Sequence, residues 1–307
     1  MRFAQAAGGD TEVMFRRWFL LLPLLIASTL YAAVNPDWTA PFPPHRIIGN
    51  VYYVGSKDLA AFLITTPQGH ILINSNLATS PLQIKKSVEK LGYRFSDVKI
   101  LLISHAHYDH CAGSAMVKRM THARYMVMDT DVPAVESGGR DDFAFGGKPS
   151  MYYPRAKVDR VLHDGDEVRL GGVVLTAHLT AGHTKGCTTW TLRVPAGKGD
   201  GGKSYDVVIV GSPNALSEYK LVDNKAYPQI ARDFEKQFVT LRGLPCDVFL
   251  GAHASYYDME SKYARLKGGD ALAFVDPAGY REFVADHQRA FEEQLKEQEG
   301  AAGGGAR

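Results

Sequence analysis

Cysteine is scarce in this chain: Cys111, Cys187 and Cys246 are its three thiols. An odd count cannot close fully into pairs within one chain, so a small disulfide-built scaffold is excluded. Excess charge of either sign is lacking too. The net charge of +2 gives no electrostatic reason for a nucleic-acid partner. Long apolar runs are nearly absent. The one candidate, WFLLLPLLIASTLYAA near the N-terminus, falls short of the ~20 residues that a spanning helix needs and carries Pro23. No short-period repeat is visible. With 45% apolar and 22% charged residues, the chain reads as a globular protein able to bury a large core.

The N-terminal run has another use. Arg16 and Arg17 precede it, and Ala32 and Ala33 end it, which is the layout of an export signal cleaved after one of those alanines. We expect residues 1–33 to be this signal, with Met14 as a possible true start that gives the compact opening MFRRWFLLL. Arg16-Arg17-Trp18-Phe19-Leu20 resembles a twin-arginine signal, whereas the very apolar segment behind it fits the general secretory route better. The mature protein is then expected in the periplasm or outside the cell, a monomer without stable membrane association.

Residues 34–298 are expected to form the domain and 299–307 a disordered tail. Apolar alternation predicts strands at 46–54, 60–66 and 70–74, the last two joined by a turn at Pro67-Gln68-Gly69. Ser80-Pro81 opens a helix that ends before Gly92; a buried strand at 98–104 and a helix at 112–120 follow. A second block then repeats the pattern. Strands are predicted at 159–170, 173–179, 187–194, 205–211 and 247–251, with helices at 230–242 and 277–297. Two strand-rich halves, each capped by helices, predict an α/β protein built as a four-layer αβ/βα sandwich. Residues 197–204 match the phosphate-loop pattern G-x-x-x-x-G-K-[ST], but a strand follows them, not a helix, so they are read as a hairpin loop.

The chemistry concentrates in Ser104-His105-Ala106-His107-Tyr108-Asp109-His110-Cys111, directly after the buried strand. The i, i+2 spacing lets His105 and His107 point the same way, and the turn aims Asp109 and His110 at a point further on. Four candidate ligands this close in sequence wrap one ion poorly, yet they can serve two adjacent ions, provided that more ligands lie downstream. Two histidines have the right context. His183 in T-A-G-H-T and His253 in G-A-H-A each follow a strand and are flanked by small residues. His45, His70, His122, His163, His178 and His287 lack that context and are read as surface or structural. Cys111 is read as a small buried residue rather than a ligand.

The set H-x-H-x-D-H, A-G-H-T and G-A-H resembles the metallo-β-lactamase superfamily, whose fold is the sandwich predicted above, over about residues 46–295. Thioester hydrolases, lactonases and nucleases of that superfamily bridge two metals with an aspartate at a later strand end; here Ser212 stands there. Serine with an intact histidine cluster is similar to subclass B3. Gly138-Gly139-Arg140-Asp141-Asp142-Phe143, AGHTKGCTTWT and LPCDVFLGAH carry the same likeness. The resemblance implies two zinc ions, one on His105, His107 and His183, the other on Asp109, His110 and His253. It implies hydrolysis of the β-lactam amide of penicillins, cephalosporins and carbapenems by a hydroxide held between the metals and oriented by Asp109. Ser212 and Asn214 would bind the substrate carboxylate, and Tyr219 would approach the oxyanion. The alternative is another dinuclear zinc hydrolase of this fold, a lactonase, amidase or thioester hydrolase; a non-catalytic zinc-binding protein ranks below it. Three positions depart from the family pattern: Lys185 where proline is common, Asn74 where aspartate is common, and Cys246 without an evident partner.

Overall fold

The computed structural model describes residues 35–195 and 203–304. The expected export signal, the start at Met14, most of the glycine-rich loop and the last three residues lie outside the described residues. Strands β1 (His45–Ile48), β2 (Val51–Tyr53), β3 (Phe62–Thr66), β4 (Gly69–Ile73), β5 (Val98–Leu102), β6 (Arg124–Met128) and β7 (Arg160–Leu162) form one seven-stranded sheet in chain order. Its first four strands are antiparallel neighbours, and the steps from β4 to β7 are parallel. Strands β8 (Glu167–Leu170), β9 (Val173–Leu179), β10 (Thr188–Pro195), β11 (Ser204–Val210) and β12 (Val248–Gly251) form a second sheet in the order β12-β11-β10-β9-β8. The helices are α1 (Pro81–Lys90), α2 (Tyr108–Cys111), α3 (Ser114–Thr121), α4 (Val132–Ser137), α5 (Ile230–Gly243), α6 (Met259–Lys267) and α7 (Pro277–Gly304).

Period-two patterning divides the first sheet between two cores. Leu63, Leu72, Leu101 and Val127 pack with Ile84 and Val88 of α1 and Val117 of α3. Their neighbours Phe62, Ile64, Ile71, Ile73, Ile100, Leu102, Met126 and Met128 face the other way, into a core shared with the second sheet. Helix α5 adds Ile230, Phe234, Phe238 and Leu241 to that core, at the spacing of one helical face. The result is the predicted four-layer αβ/βα sandwich.

Local boundaries differ in instructive places. The run at 46–54 breaks into β1 and β2 at Gly49, whose φ of +52° and position against the Pro195 carbonyl suit glycine alone. The run at 159–170 also breaks. β7 closes the first sheet, β8 edges the second, and the turn at Gly165 (φ +81°) carries the chain between them. Periodicity could not show this, because both pieces are apolar-alternating. Ser80 precedes α1 as expected but makes no side-chain cap. Helices α4 and α6 were not anticipated. Helix α7 continues to Gly304, past the end expected at Glu297 and into the segment expected to be disordered. Ala301 and Ala302, the best helix formers, extend a helix already nucleated at little cost. Strands β10 and β11 pair antiparallel, Pro195 opposite Ser204, so the glycine-rich segment links a hairpin. No described helix is long and apolar enough to cross a membrane.

Candidate metal centre

Segments that follow strand ends meet at one edge of the sandwich. Asn74, after β4, accepts from Ser104 N at 2.8 Å and donates to the Ala60 carbonyl at 3.2 Å. An amide thus braces the start of the histidine cluster. Ser104 in turn accepts from Thr188 N of the second sheet at 2.7 Å, and Trp190 Nε1 donates to the Ile103 carbonyl at 3.0 Å. The strand end that carries His105 is therefore pinned by both sheets.

Around it lie two groups of three. In one, His107 Nδ1 is 3.1 Å from His183 Nε2, and His105 offers a ligand atom within 4.8 Å of both. In the other, His110 Nε2 lies 3.1 Å from Asp109 Oδ2 and 3.1 Å from His253 Nε2, and Asp109 Oδ2 lies 3.6 Å from His253 Nε2. His105 sits between the groups, its ring centroid 4.3 Å from that of His110 and 4.6 Å from that of His183. Ligand bonds of 2.0–2.1 Å at tetrahedral angles separate ligand atoms by roughly 3.3 Å, close to these spacings. Buried His105 Nε2 has no hydrogen-bond partner, an expense that a metal would remove. The donor set fits zinc.

The outward nitrogens are held as such a site requires. His183 Nδ1 donates to the Asn214 carbonyl at 2.8 Å, His253 Nδ1 to Asp58 Oδ2 at 2.9 Å, and His105 Nδ1 meets Ser104 Oγ at 3.2 Å. A proton on the outward nitrogen of His183 and of His253 leaves the inward Nε2 lone pair bare. Burial lowers His183 to about 3, with His107 beside it adding to the effect, and burial likewise drives His105 well down. His107 is the exception. Burial would lower it, but Asp142, whose Oδ2 lies 3.5 Å from Nε2, raises it instead. Burial alone would raise Asp109, yet His110, His253 and His107 outweigh it and hold the carboxyl well below its usual range.

The six histidine and aspartate candidates named from sequence are thus brought together, and Ser212, Asn214 and Tyr219 are hydrogen-bonded around them. Tyr219 is buried, and its hydroxyl donates to the His183 backbone carbonyl at 2.8 Å. Through this bond the phenol's one proton braces the His183 loop. Ser212 is only 1% exposed, and its Oγ lies 3.1 Å from the Tyr256 hydroxyl. Asn214 is half-buried; its backbone holds His183, and its Nδ2 donates to the Tyr256 hydroxyl at 2.8 Å.

Four residues escaped the sequence reading. Asp58 orients His253, and Asp142 faces His107 while capping Ala144 N and Phe145 N. Tyr256 gathers Ser212 and Asn214. Asp131 ties two ligand loops: it accepts from Ala106 N at 2.9 Å, Thr184 Oγ1 at 2.8 Å and Gly186 N at 2.8 Å. Burial raises Asp131 to about 6 against those bonds. Its place just after β6, at the same edge as the histidines, was a usable signal; Asp58 and Tyr256 had none. A groove of about 620 Å³ between the proline-rich arm and α1 contains none of these residues.

Comparisons agree with this geometry. Residues 60–194 match the metallo-β-lactamase superfamily. The native FEZ-1 metallo-β-lactamase from Legionella gormanii is 52% identical, with a TM-score of 0.82, over 85% of this chain and 98% of that one. A β-lactamase from Chitinophaga pinensis is 38% identical (TM-score 0.81, 87% and 99% covered). BJP-1, a subclass B3 metallo-β-lactamase of Bradyrhizobium japonicum, is 35% identical (TM-score 0.80, 87% and 98% covered). A probable metallo-hydrolase of Burkholderia pseudomallei is 28% identical over 110 residues, 36% of this chain, and the match spans only 35% of that protein's length.

Proposed function

We propose that this chain, which belongs to the metallo-β-lactamase superfamily, hydrolyses the cyclic amide of β-lactams (penicillins, cephalosporins and carbapenems) with two zinc ions. His105, His107 and His183 would hold one ion, and Asp109, His110 and His253 the other. When bound, such ions supply Lewis acidity, polarising the amide carbonyl and making water nucleophilic near neutral pH. The chain's own residues do the rest. Asp58 and the Asn214 carbonyl keep protons on the outward nitrogens of His253 and His183, so that both Nε2 atoms stay available. Asp109 stays anionic; Oδ2 joins the triad, which leaves Oδ1 to orient the attacking water and accept its proton. The enzyme would work as an exported monomer, in the periplasm or outside the cell, on a small molecule and without nucleic acid.

The observation that carries this reading is the pair of triads without a shared carboxylate. Where lactonase-like and thioesterase-like members bring a bridging aspartate, this chain has Ser212, turned toward Tyr256. The kinship with named metallo-β-lactamases, one of them of subclass B3, supports the same substrate class. The test is hydrolysis of a penicillin, a cephalosporin and a carbapenem by the purified protein, abolished by a chelator and restored by zinc. Cleavage of a homoserine lactone or thioester with every β-lactam untouched would refute the proposal in favour of another dinuclear hydrolase. Full zinc loading without turnover of any ester or amide would make it a binding protein.

A further inference from the structure

Between α4 and β7 the chain makes an excursion, residues 138–153, that packs on the group of His105, His107 and His183. Its neck is closed where Tyr153 N donates to the Gly138 carbonyl at 3.1 Å, and the Tyr153 hydroxyl donates to the Ala106 carbonyl at 2.6 Å. Its tip is a tight turn. Gly146 N donates to the Asp142 carbonyl at 3.0 Å, and a Cβ on Gly146 would lie 2.6 Å from that oxygen. The Phe145 ring packs edge-on against the His107 ring, centroids 5.1 Å apart. The Asp142 carboxylate stands where turn and histidine meet, its side chain 4% exposed. Oδ1 accepts from Ala144 N at 2.8 Å and from Phe145 N at 2.7 Å, while Oδ2 faces His107 Nε2 at 3.5 Å.

We propose that Asp142 is the positioning residue through which the 138–146 turn, and not the three histidines alone, sets how tightly the metal of that group is held. The tautomer of His107 is the link. An imidazole that gives one nitrogen to a metal carries its proton on the other. His107 turns Nδ1 toward His183 Nε2, 3.1 Å away, and Nε2 toward Asp142. Nδ1 is therefore the ligand atom and Nε2 the proton's place. Nε2 is buried and without a hydrogen-bond partner among the described residues, so the carboxylate that it faces decides whether a proton there is welcome. An N–H directed at a buried carboxylate is of the stronger, charge-assisted kind. The same carboxylate is fastened to the turn by Oδ1, so a turn that shifts takes the acceptor away from His107.

This inference rests on the two-metal reading but not on the substrate, and zinc binding tests it. The readout is competition with a chelator at mildly basic pH, where protons compete least with zinc; the step in question is the one lost in His183→Ala. Asp142→Asn keeps an oxygen for the Ala144 and Phe145 amides, so the turn stays folded, but sets an NH2 against Nε2. That step weakens about 10–100-fold, and the step due to Asp109, His110 and His253 does not move. Gly146→Ala touches no ligand and leaves Asp142 in place, yet its Cβ pushes on the Asp142 carbonyl. It weakens the same step by a smaller factor, and added to Asp142→Asn it weakens the step no further, because both act through one contact. Equal weakening of both steps, additive effects in the double variant, or a Gly146→Ala protein with lowered Tm and an unmoved step overturns the assignment. So does a tighter step in Asp142→Asn, which would mean that the carboxylate serves a proton against the metal. If the unsubstituted protein shows no such step, the two-metal reading itself is refuted; if the step is present and Asp142→Asn leaves it alone, Asp142 alone is refuted.

Discussion

Asp58→Asn isolates the support of one metal from the support of the other. Asp58 Oδ2 accepts from His253 Nδ1 at 2.9 Å and from Trp38 Nε1 at 3.1 Å, and Oδ1 accepts from Ser255 N at 3.1 Å. Asparagine keeps the shape but turns one acceptor into a donor, and neither orientation works. With its oxygen toward His253, its NH2 faces the Ser255 N–H, a donor against a donor that costs about 1–3 kcal/mol. With its NH2 toward His253, the imidazole proton is driven to Nε2, the atom that faces Asp109 and His110. Outer partners of metal-binding histidines are worth about 10–100-fold in affinity, or about 1.4–2.8 kcal/mol. Zinc titration against a competing chelator should therefore show the step due to Asp109, His110 and His253 shifted by that factor and the step due to His105, His107 and His183 unmoved. Burial would raise the Asp58 carboxyl, but His253 and Ser255 hold it far below its usual range, so the effect is the same at mildly acidic and mildly basic pH. Equal weakening of both steps, or a shift under about threefold, refutes the idea that Asp58 acts through His253.

Three further outcomes follow from the same geometry. Asp109→Asn should fold normally by circular dichroism and lose at least about 10²-fold in kcat, since it removes the proton acceptor; activity within a few-fold would rule out that role. Burial lowers His45 from 6.5 to about 4, against the Pro43 carbonyl that accepts its Nδ1–H. Between those values the unfolded chain binds the proton and the folded chain does not, so His45 costs stability as pH falls from 6.5 to 4. The wild type should lose up to about 3 kcal/mol relative to His45→Phe across that window in urea titrations, and a parallel pH dependence of the two would refute it. Gly182 has a φ of +139°, and a Cβ there would lie 2.8 Å from the Phe234 ring. Gly182→Ala should lower Tm by roughly 2–8 °C and loosen the His183 zinc step; an unchanged Tm would show that the loop yields freely.

What the sequence discloses about the fold is its periodicity, and its silences have one cause. Buried parallel strands such as β5 read clearly, because apolar side chains fill both faces: Ile100 and Leu102 one way, Leu101 and Ile103 the other. Period two says that a strand exists but not which sheet it joins. The stretch from Arg160 to Leu170 keeps its alternation while its two halves enter different sheets. That partition is decided by the Gly165 turn and by pairing: β8 folds back on the adjoining β9, whereas β7 pairs with β6 far earlier in the chain, which no local pattern discloses. Helix α4 was missed for a related reason. It is six residues long with Pro133 in its first turn, too short to show a face.

The site divides along the same line. The histidines were legible because their chemistry is rare and their context local, each just after a strand and beside small residues. The carboxylates that orient them are ordinary loop aspartates whose meaning lies in distant partners. Asp58 meets His253 across 195 positions, and Asp131 reaches Gly186 across 55. Asp131 also shows why such residues are retained despite their cost. Burial raises its carboxyl, a sign that the fold carries an expense in keeping it there, yet among the described residues it is the single group bonded to both the Ala106 and the Gly186 backbones. Those two amides belong to the loops that carry His107 and His183, whose ring nitrogens must come within 3.1 Å of each other. This shared acceptor adds to the bond from Thr188 N to the Ser104 carbonyl, so that two loops from different sheets are fixed to each other on both sides of His105. The buried charge thus exchanges stability for the fixed spacing that one metal ion demands.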